Sequence, residues 1–303
     1  IANISYTSDC FGSGTEFSLS TSETIVSLDW DFGDTETSTD LNPVYVYAAP
    51  GEYTASVTIT TATTTQNFET LVTIFDTPIA NAVVGIAICD DDNDGINSFD
   101  FISDVTPTVL GTQVAASFTV TYHPTQTDAD DNTNAYANPY SNTLTQETVF
   151  VRIENTNNIR CFDTTSFGIE VFDTPVIAAI NDLQSCDDGT DSDLTNGQTE
   201  TDLSALTAVV LGTQDLTLFS VSYHLDTTDA DAGTNALPLI YYNTTAFNQT
   251  LAVRIENSSN TDCFITQEFN IIINTTPTAN PVLDISICDD DNDGINSFDF
   301  ISD

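Results

Sequence analysis

Along most of this chain apolar and polar residues alternate with a period of two. In SFTVTY, Phe118, Val120 and Tyr122 face one way and Ser117, Thr119 and Thr121 the other. In YTASVTIT, Tyr53, Ala55, Val57 and Ile59 share one face, opposite Thr54, Ser56, Thr58 and Thr60. Alternation with threonine on the wet side marks half-buried antiparallel strands. No segment shows a convincing helical period with caps. Short strands broken by Gly, Asn, Asp and Pro clusters, in blocks of about 100 residues, predict an all-β fold of immunoglobulin-like β-sandwich domains in an elongated tandem array.

The pattern also repeats on a longer scale. VLGTQ occurs at 109–113 and 210–214, TNA at 133–135 and 234–236, and VRIEN at 151–155 and 253–257. Thr-Pro dipeptides at 77–78, 174–175 and 276–277 punctuate the copies. Each repeat is long enough to be a whole domain rather than a solenoid turn. The boundaries read as 1–78 for a first β-sandwich, 79–175 and 176–277 for two repeats, and 278–303 for the start of a third. ICDDDNDGINSFDFISD occupies 88–104 and returns unchanged at 287–303. With no methionine and no signal peptide, the chain reads as an interior piece of a longer mature protein.

Charge narrows the function. The chain holds 46 acidic residues against three arginines (Arg152, Arg160, Arg254) and no lysine, a formal charge of −43. Phosphate recognition needs cationic side chains, so nucleic acid is excluded as a partner. No run of about 20 apolar residues offers direct membrane insertion. A folded domain this acidic repels itself unless cations neutralise it, and divalent cations suit that task.

The repeated loop has the composition for such an ion. Asp90, Asp92 and Asp94 precede Gly95 in a D-x-D-x-D-G run, whose alternate carboxylates can converge on a hard cation such as Ca2+. The carbonyl of Ile96 and the carboxylate of Asp100 are the further ligands expected, and Asp289, Asp291, Asp293 and Asp299 repeat the set. In the middle copy Asp187, Asp188, Asp191 and Asp193 keep the acid count but lose the spacing. The competing reading is a solvated acidic turn. Asp128, Asp130 and Asp131, with Asp226, Asp229 and Asp231, form a second acidic group per repeat that either completes the same site or caps a loop.

Six cysteines stand at 10, 89, 161, 186, 263 and 288. The simplest pairing joins Cys89 to Cys161 and Cys186 to Cys263 within each repeat. Each bond would close a loop of roughly 70 to 80 residues and contribute about 4 kcal/mol. Disulfides place the chain outside the reducing cytosol. A thiolate metal site lacks the spacing, since there is no CxxC pair.

Nothing in the chain spells out catalysis. His123 and His224 hold equivalent positions after a strand tyrosine, as structural hydrogen-bonding residues would. Arg152 with Glu154, and Arg254 with Glu256, share a strand face and read as ion pairs or as arginines leaning on an acidic loop. Gly-rich phosphate loops, G-x-S-x-G and HExxH are all missing. The expectation is that the chain is not an enzyme.

The first domain can be placed in a family. LDWDFGDTETSTDLNPVYVYAAPGEYTASVTI resembles the PKD domain, through Trp30-Asp31-Phe32-Gly33-Asp34, Asn42-Pro43, Tyr47, Pro50-Gly51, Tyr53 and Val57. Thr35 replaces the glycine usual there. Trp30 reads as a core plug. PKD followed by repeats carrying CDDDNDG, YHPTQTDAD and VRIEN resembles the giant cell-surface adhesins of gliding and marine Bacteroidetes. That resemblance implies type IX export and display on the outer membrane; the reading drawn with it is a mechanical role in reach and attachment, with lateral or end-to-end assembly as a filament left open. Its partners would be calcium, surface glycans, other cells or substrata. The alternative is a spacer or carbohydrate-binding region of a secreted polysaccharide-degrading enzyme, with Tyr136, Tyr140, Tyr241 and Tyr242 as sugar-stacking rings.

Overall fold

The computed structural model describes residues 2–188, 192–277, 279–298, 300 and 301. It is nearly all β, as the alternation predicts. By packing, the chain divides into two compact units, residues 1–175 with 217–220 and 256–264, and residues 176–216, 221–255 and 265–303.

The first domain is a two-sheet sandwich. Strands β1 (Asn3–Thr7), β2 (Thr15–Ser20) and β5 (Val44–Tyr45) form one sheet in the order β1-β2-β5. The other, ordered β4-β3-β6-β7, contains β3 (Ile25–Asp31), β4 (Thr37–Ser38), β6 (Gly51–Thr61) and β7 (Thr65–Ile74). On β6 the alternation does what the sequence predicts: Ala55, Val57 and Ile59 are buried, with Trp30, Phe17, Phe32 and Val72 around them. Trp30 is fully buried and its indole N–H donates to the Asp40 carbonyl at 3.0 Å, the polar partner a buried indole needs.

Each repeat is built on one four-stranded sheet. In the first, β8 (Ile86–Asp90), β10 (Phe118–His123), β12 (Gln146–Asn155) and β13 (Asn158–Asp173) are ordered β10-β12-β13-β8. Strands β12 and β13 form a long antiparallel hairpin, and β8 runs parallel to the far end of β13, with Ile86 opposite Ile169 and Cys89 opposite Phe172. The opposing layer is thin. It consists of the ribbon β9 (Ser98–Phe99) with β11 (Tyr140–Ser141) and two short helices, α1 (Phe101–Asp104) and α2 (Thr106–Leu110).

These helices correct the expectation that no capped helical segment exists. Phe101, Val105 and Val109, spaced i, i+4, i+8, are all buried against the sheet. Asp100 caps α1 by accepting the Ser103 amide, Pro107 stands in the first turn of α2, and Gly111 closes it. A third helix, α3 (Gln126–Asp131), is capped by Thr125 and ends on left-handed Asn132.

The second repeat repeats the plan with β14 (Leu183–Cys186), β15 (Glu200–Asp202), α4 (Ser204–Leu211), β16 (Phe219–His224), α5 (Thr227–Ala232), β17 (Ile240–Tyr242), β18 (Asn248–Asn257) and β19 (Phe264–Asn274). Its sheet is ordered β14-β19-β18-β16, with β14 parallel to the end of β19.

Candidate metal centre and the joints between domains

The acidic loop begins where β8 ends. Asp90, only 2% exposed, is the last residue of that strand, opposite Asp173. Its carboxylate accepts the Asp92 amide at 3.3 Å and the Gly95 amide at 2.6 Å, folding the loop back on itself. Gly95 has φ of 80°, a conformation that a side chain resists, so glycine here is a backbone requirement. Asp94 accepts the Ile96 amide at 2.7 Å. From outside the loop, buried Asn142 accepts the Asn97 amide at 2.6 Å and donates to the Gly95 and Leu144 carbonyls. Asn93 exchanges two hydrogen bonds with the backbone of Thr174.

Asp90, Asp92 and Asp94 each bring a carboxylate oxygen within 4.8 Å of the others, as do Asp289, Asp291 and Asp293. Burial works against ionisation of Asp90, but the amide donors of Gly95 and Asp92 outweigh it and hold the carboxyl below its usual range. Asp92, hydrogen-bonded to Asp90 and facing the charge of Asp94, is pushed up. The set is all-oxygen, which suits a hard cation, and each carboxylate oxygen keeps a lone pair beyond the N–H it accepts.

Asp100 is a correction. It is not drawn into the cluster. Both its oxygens hold Ser103, through the amide at 3.2 Å and the hydroxyl at 2.8 Å, and one also accepts from Asn138. Ile96 lies beside the cluster through its amide, and its side chain is exposed. Asp299, the counterpart of Asp100, and Asp191 lie outside the described residues.

In the middle copy Asp187 takes the place of Asp90. It is fully buried and its carboxylate accepts the Gly197 amide at 2.9 Å. Asn243 does the work of Asn142, accepting the Thr199 amide at 2.7 Å and donating to the Gly197 and Thr245 carbonyls. Asp188 accepts the Thr199 hydroxyl and Asp193 accepts from Thr195, so these acids are spread along a longer loop. Among the described residues, Asp187, Asp188 and Asp193 do not gather as the first copy does.

The second acidic group caps a loop. Asp128 accepts from Thr125, Thr133 and Asn134 at the start of α3, and Asp226 caps α5 by accepting the Asp229 amide. Asp130 accepts from Gln126 and Asp231 from Thr266, while Asp131 closes α3. Arg152 leans on the same helix. Its guanidinium donates to the carbonyls of Ala129, Asp130 and Ile159, pairs with Glu154 at 2.6 Å and lies 3.7 Å over the Phe162 ring. Arg254 donates likewise to Ala230 and Asp231. His123 bonds the Thr133 carbonyl and the Thr121 hydroxyl, and His224 bonds Thr234 and Ser222, so both ring nitrogens of each histidine serve the fold.

The cysteine pairing within repeats is overturned. Cys10 bonds Cys161 and Cys89 bonds Cys263, with Cα separations of 5.3 and 5.4 Å. Cys186 and Cys288 are free and exposed. The reason lies in strand direction. Cys89 stands opposite Phe172, whereas Cys161 is at the other end of the same strand, about 36 Å away at some 3.3 Å per residue. A disulfide spans at most about 7 Å between Cα atoms, so the intra-repeat bond cannot form. Cys10 belongs to the same scheme, because it bridges in parallel to Phe75 just after the last strand of its own domain. A cysteine beside the final strand of one domain thus meets a cysteine from the hairpin of the next. Beside each bond a hairpin asparagine donates to the preceding domain, Asn155 to the Asp76 carbonyl at 2.9 Å and Asn257 to the Asp173 carbonyl at 3.0 Å.

Residues 85–175 and 182–277 both match the Flavobacterium inter-domain disulphide bond domain. The chain belongs to this family. The inter-domain disulphide modules follow a match to the PKD domain over residues 5–74. Among solved structures, the PKD1 domain of the Vibrio cholerae metalloprotease PrtV is similar at 23% identity, covering 24% of this chain and 93% of that one with a TM-score of 0.22. The PKD1 domain of Vibrio anguillarum Epp gives 26% identity, 24% and 90% coverage and a TM-score of 0.22. A SusE-like, surface-located polysaccharide-binding protein of Bacteroides thetaiotaomicron gives 9% identity, 90% and 61% coverage and a TM-score of 0.25. No curated protein matches the chain. The PKD and inter-domain disulphide modules together fit an extracellular protein of the Bacteroidetes. Among the described residues no helix is long and apolar enough to cross a membrane.

Proposed function

We propose that this chain is a non-catalytic, load-carrying segment of a long surface adhesin or filament, exported by the type IX route and displayed on the outer membrane. The observation that carries the reading is the pair of disulfides joining each domain to the next, Cys10–Cys161 and Cys89–Cys263. Covalent bonds inside a domain would stabilise modules one by one, whereas bonds between neighbours fix a spacer as a whole. The histidines support a non-catalytic role, since both are buried away from any substrate and spend their ring nitrogens on neighbouring threonine, serine and carbonyl groups. A sugar-stacking surface has less support: Tyr136 and Tyr140 lie against each other with centroids 4.0 Å apart and pack on the core, and Tyr241 is buried.

The test is made on the source cells. An antibody to this segment should label intact cells, the label should vanish on external protease treatment, and deletion of the segment should reduce surface attachment. Label reached only after lysis, or deletion that abolishes polysaccharide hydrolysis and spares attachment, would overturn the reading.

Calcium belongs to this proposal as a stiffening ion held by Asp90, Asp92 and Asp94. Bound through one oxygen each, three protein carboxylates supply three of the six to eight oxygens calcium takes, so water completes the shell and the affinity falls in the 10⁻⁴–10⁻³ M range of extracellular modules. Calcium titration followed by calorimetry should show saturable binding in that range. Asp92→Asn with Asp94→Asn should remove the equivalent held at Asp90 and leave only that of Asp289, Asp291 and Asp293, and an unchanged stoichiometry in that variant refutes the assignment.

A further inference from the structure

The two disulfides do more than join neighbours, because their loops cross. In chain order the cysteines run 10, 89, 161, 263, and the bonds connect first to third and second to fourth. Neither loop lies inside the other, and neither lies clear of it. We infer that this interlaced pair makes the segment an extension-limited tether with a built-in reserve: it restricts how far the chain can be drawn out under load, and either bond alone preserves most of the restriction.

The argument is one of path length. A fully unfolded, pulled chain extends until the shortest covalent route between its ends is taut, at about 3.3–3.6 Å per residue. With both bonds intact that route enters at residue 1, crosses from Cys10 to Cys161, runs backwards to Cys89, crosses to Cys263 and leaves at residue 303. It contains about 121 residue steps, against about 302 for the reduced chain, so the oxidised segment reaches roughly 400–450 Å where the reduced one reaches roughly 1,000–1,090 Å. The backward run is the unusual element. The stretch from Cys89 to Cys161 is traversed against the chain direction, which only crossed bonds permit.

The reserve follows from the same count. Without Cys10–Cys161 the route goes forward to Cys89, crosses and leaves, about 128 steps in all, only about 7 longer. Without Cys89–Cys263 it crosses early and runs forward from Cys161, about 151 steps, some 30 longer. Losing both adds about 181. The two single losses therefore come to about a fifth of the joint loss. Bonds in separate or nested loops behave otherwise, because for separate loops the single gains sum to the joint gain. A surface tether built this way keeps most of its length limit when one bond is reduced, and lets out only when both are. The inference rests on the bond connectivity and stands whether or not the segment serves an adhesin.

Single-molecule pulling of the 303-residue chain from its two ends reads this directly. The total contour at high force is independent of how stable each domain is, so a variant that folds poorly still reports its covalent route. Four forms are compared: the oxidised chain, the chain in reductant, Cys10→Ser with Cys161→Ser, and Cys89→Ser with Cys263→Ser. The expected contours are about 121, 302, 128 and 151 residue lengths. Non-reducing peptide mapping of the same samples confirms which bonds are present. Single-pair gains that sum to the reductant gain, or an oxidised contour above about 150 residue lengths, would overturn the inference.

Discussion

The two inter-domain disulphide repeats build the same loop from partly different residues. In the first, Asp90 holds the Gly95 amide and Asn142 ties the loop to the β11–β12 connection. In the second, Asp187 holds Gly197 and Asn243 makes the equivalent ties, although the glycine follows the acid by ten positions instead of five. What both retain is the buried carboxylate, the left-handed glycine and the asparagine. What the described residues of the second do not show is a gathered pair matching Asp92 and Asp94. The fold therefore requires the first group, and the second group is free for another task. The copy at 288–296 makes the same point from the other side. Asp289 accepts the Gly294 amide at 2.6 Å and Asn296 reaches the Cys288 carbonyl, with most of these residues exposed. The turn is thus written in its own residues, and Asn142 or Asn243 anchors it to a domain.

The largest effect should come from the scaffold that both repeats share. Arg152 and Glu154 are both buried, so removing the cation strands a carboxylate with only Asn132 for company. Arg152→Met is expected to cost about 3–5 kcal/mol, and adding Glu154→Leu should restore most of it. Because the chain has several domains, the readout is hydrogen exchange in β10 and β12 rather than one melting curve. A cost below about 1 kcal/mol in the single variant would mean the pair is solvated, contrary to its burial.

Next come the anchors. Asn142→Ala leaves the Gly95 and Leu144 carbonyls and the Asn97 amide without their partner, and Asn243→Ala does the same in the second repeat. Each should lose about 2–4 kcal/mol of local stability, seen as faster exchange confined to its own loop. Unequal losses would show that the longer second loop has found other support.

Much of this was readable beforehand, and the failures are specific. Period two located the strands, and the PKD resemblance put Trp30 in the core. The i, i+2 spacing placed Arg152 beside Glu154. The helices α1 and α2 were also present in the letters, as Phe101, Val105 and Val109 with Asp100 and Ser103 at the cap. Threonines and isoleucines around them disguised that period as strand. The disulfides were not readable, because matching positions in two repeats fit bonds within a repeat as well as between neighbours. What decides is the parallel pairing of β8 with the far end of β13, a long-range contact with no local signal. Asp100 carries two signals at once: its count from Asp90 fits a coordination loop, and its three-residue spacing to Ser103 fits a helix cap, which is the role it takes.

A smaller effect separates the two loops by ion. At free calcium ten times the Kd, binding adds about 1.4 kcal/mol to whatever unfolds with the site. Exchange in residues 90–97 should slow by roughly tenfold on adding calcium, and residues 187–199 should not respond. Asp92→Asn with Asp94→Asn should cancel the response while changing calcium-free stability by less than about 0.5 kcal/mol. A response of equal size in both loops would place any calcium effect on general charge screening instead.

The smallest effect concerns acid. Glu147 accepts the amides of Thr143 and Leu144, the Thr143 hydroxyl and the Tyr140 phenol, whereas the second repeat has Gln249 there, accepting the amides of Thr244 and Thr245 and donating to Tyr241. Burial opposes the charge of Glu147, but these donors prevail and hold its carboxyl below the ordinary value. A folded pKa lowered in this way stabilises above the unfolded value, about 4.3, and the contribution is lost as pH falls through the folded value. Partial solvent exposure keeps it well under 1 kcal/mol. The first repeat should therefore loosen between about pH 5 and pH 3 by slightly more than the second, read as exchange in β11 against β17. Glu147→Gln should bring the two into line, since the amide keeps an acceptor for Thr143 and Leu144 and no longer titrates. If the acid response of the first repeat survives that substitution, its source is Asp100, which caps α1, and Asp128, in the first turn of α3, whose lowered values give the same sign.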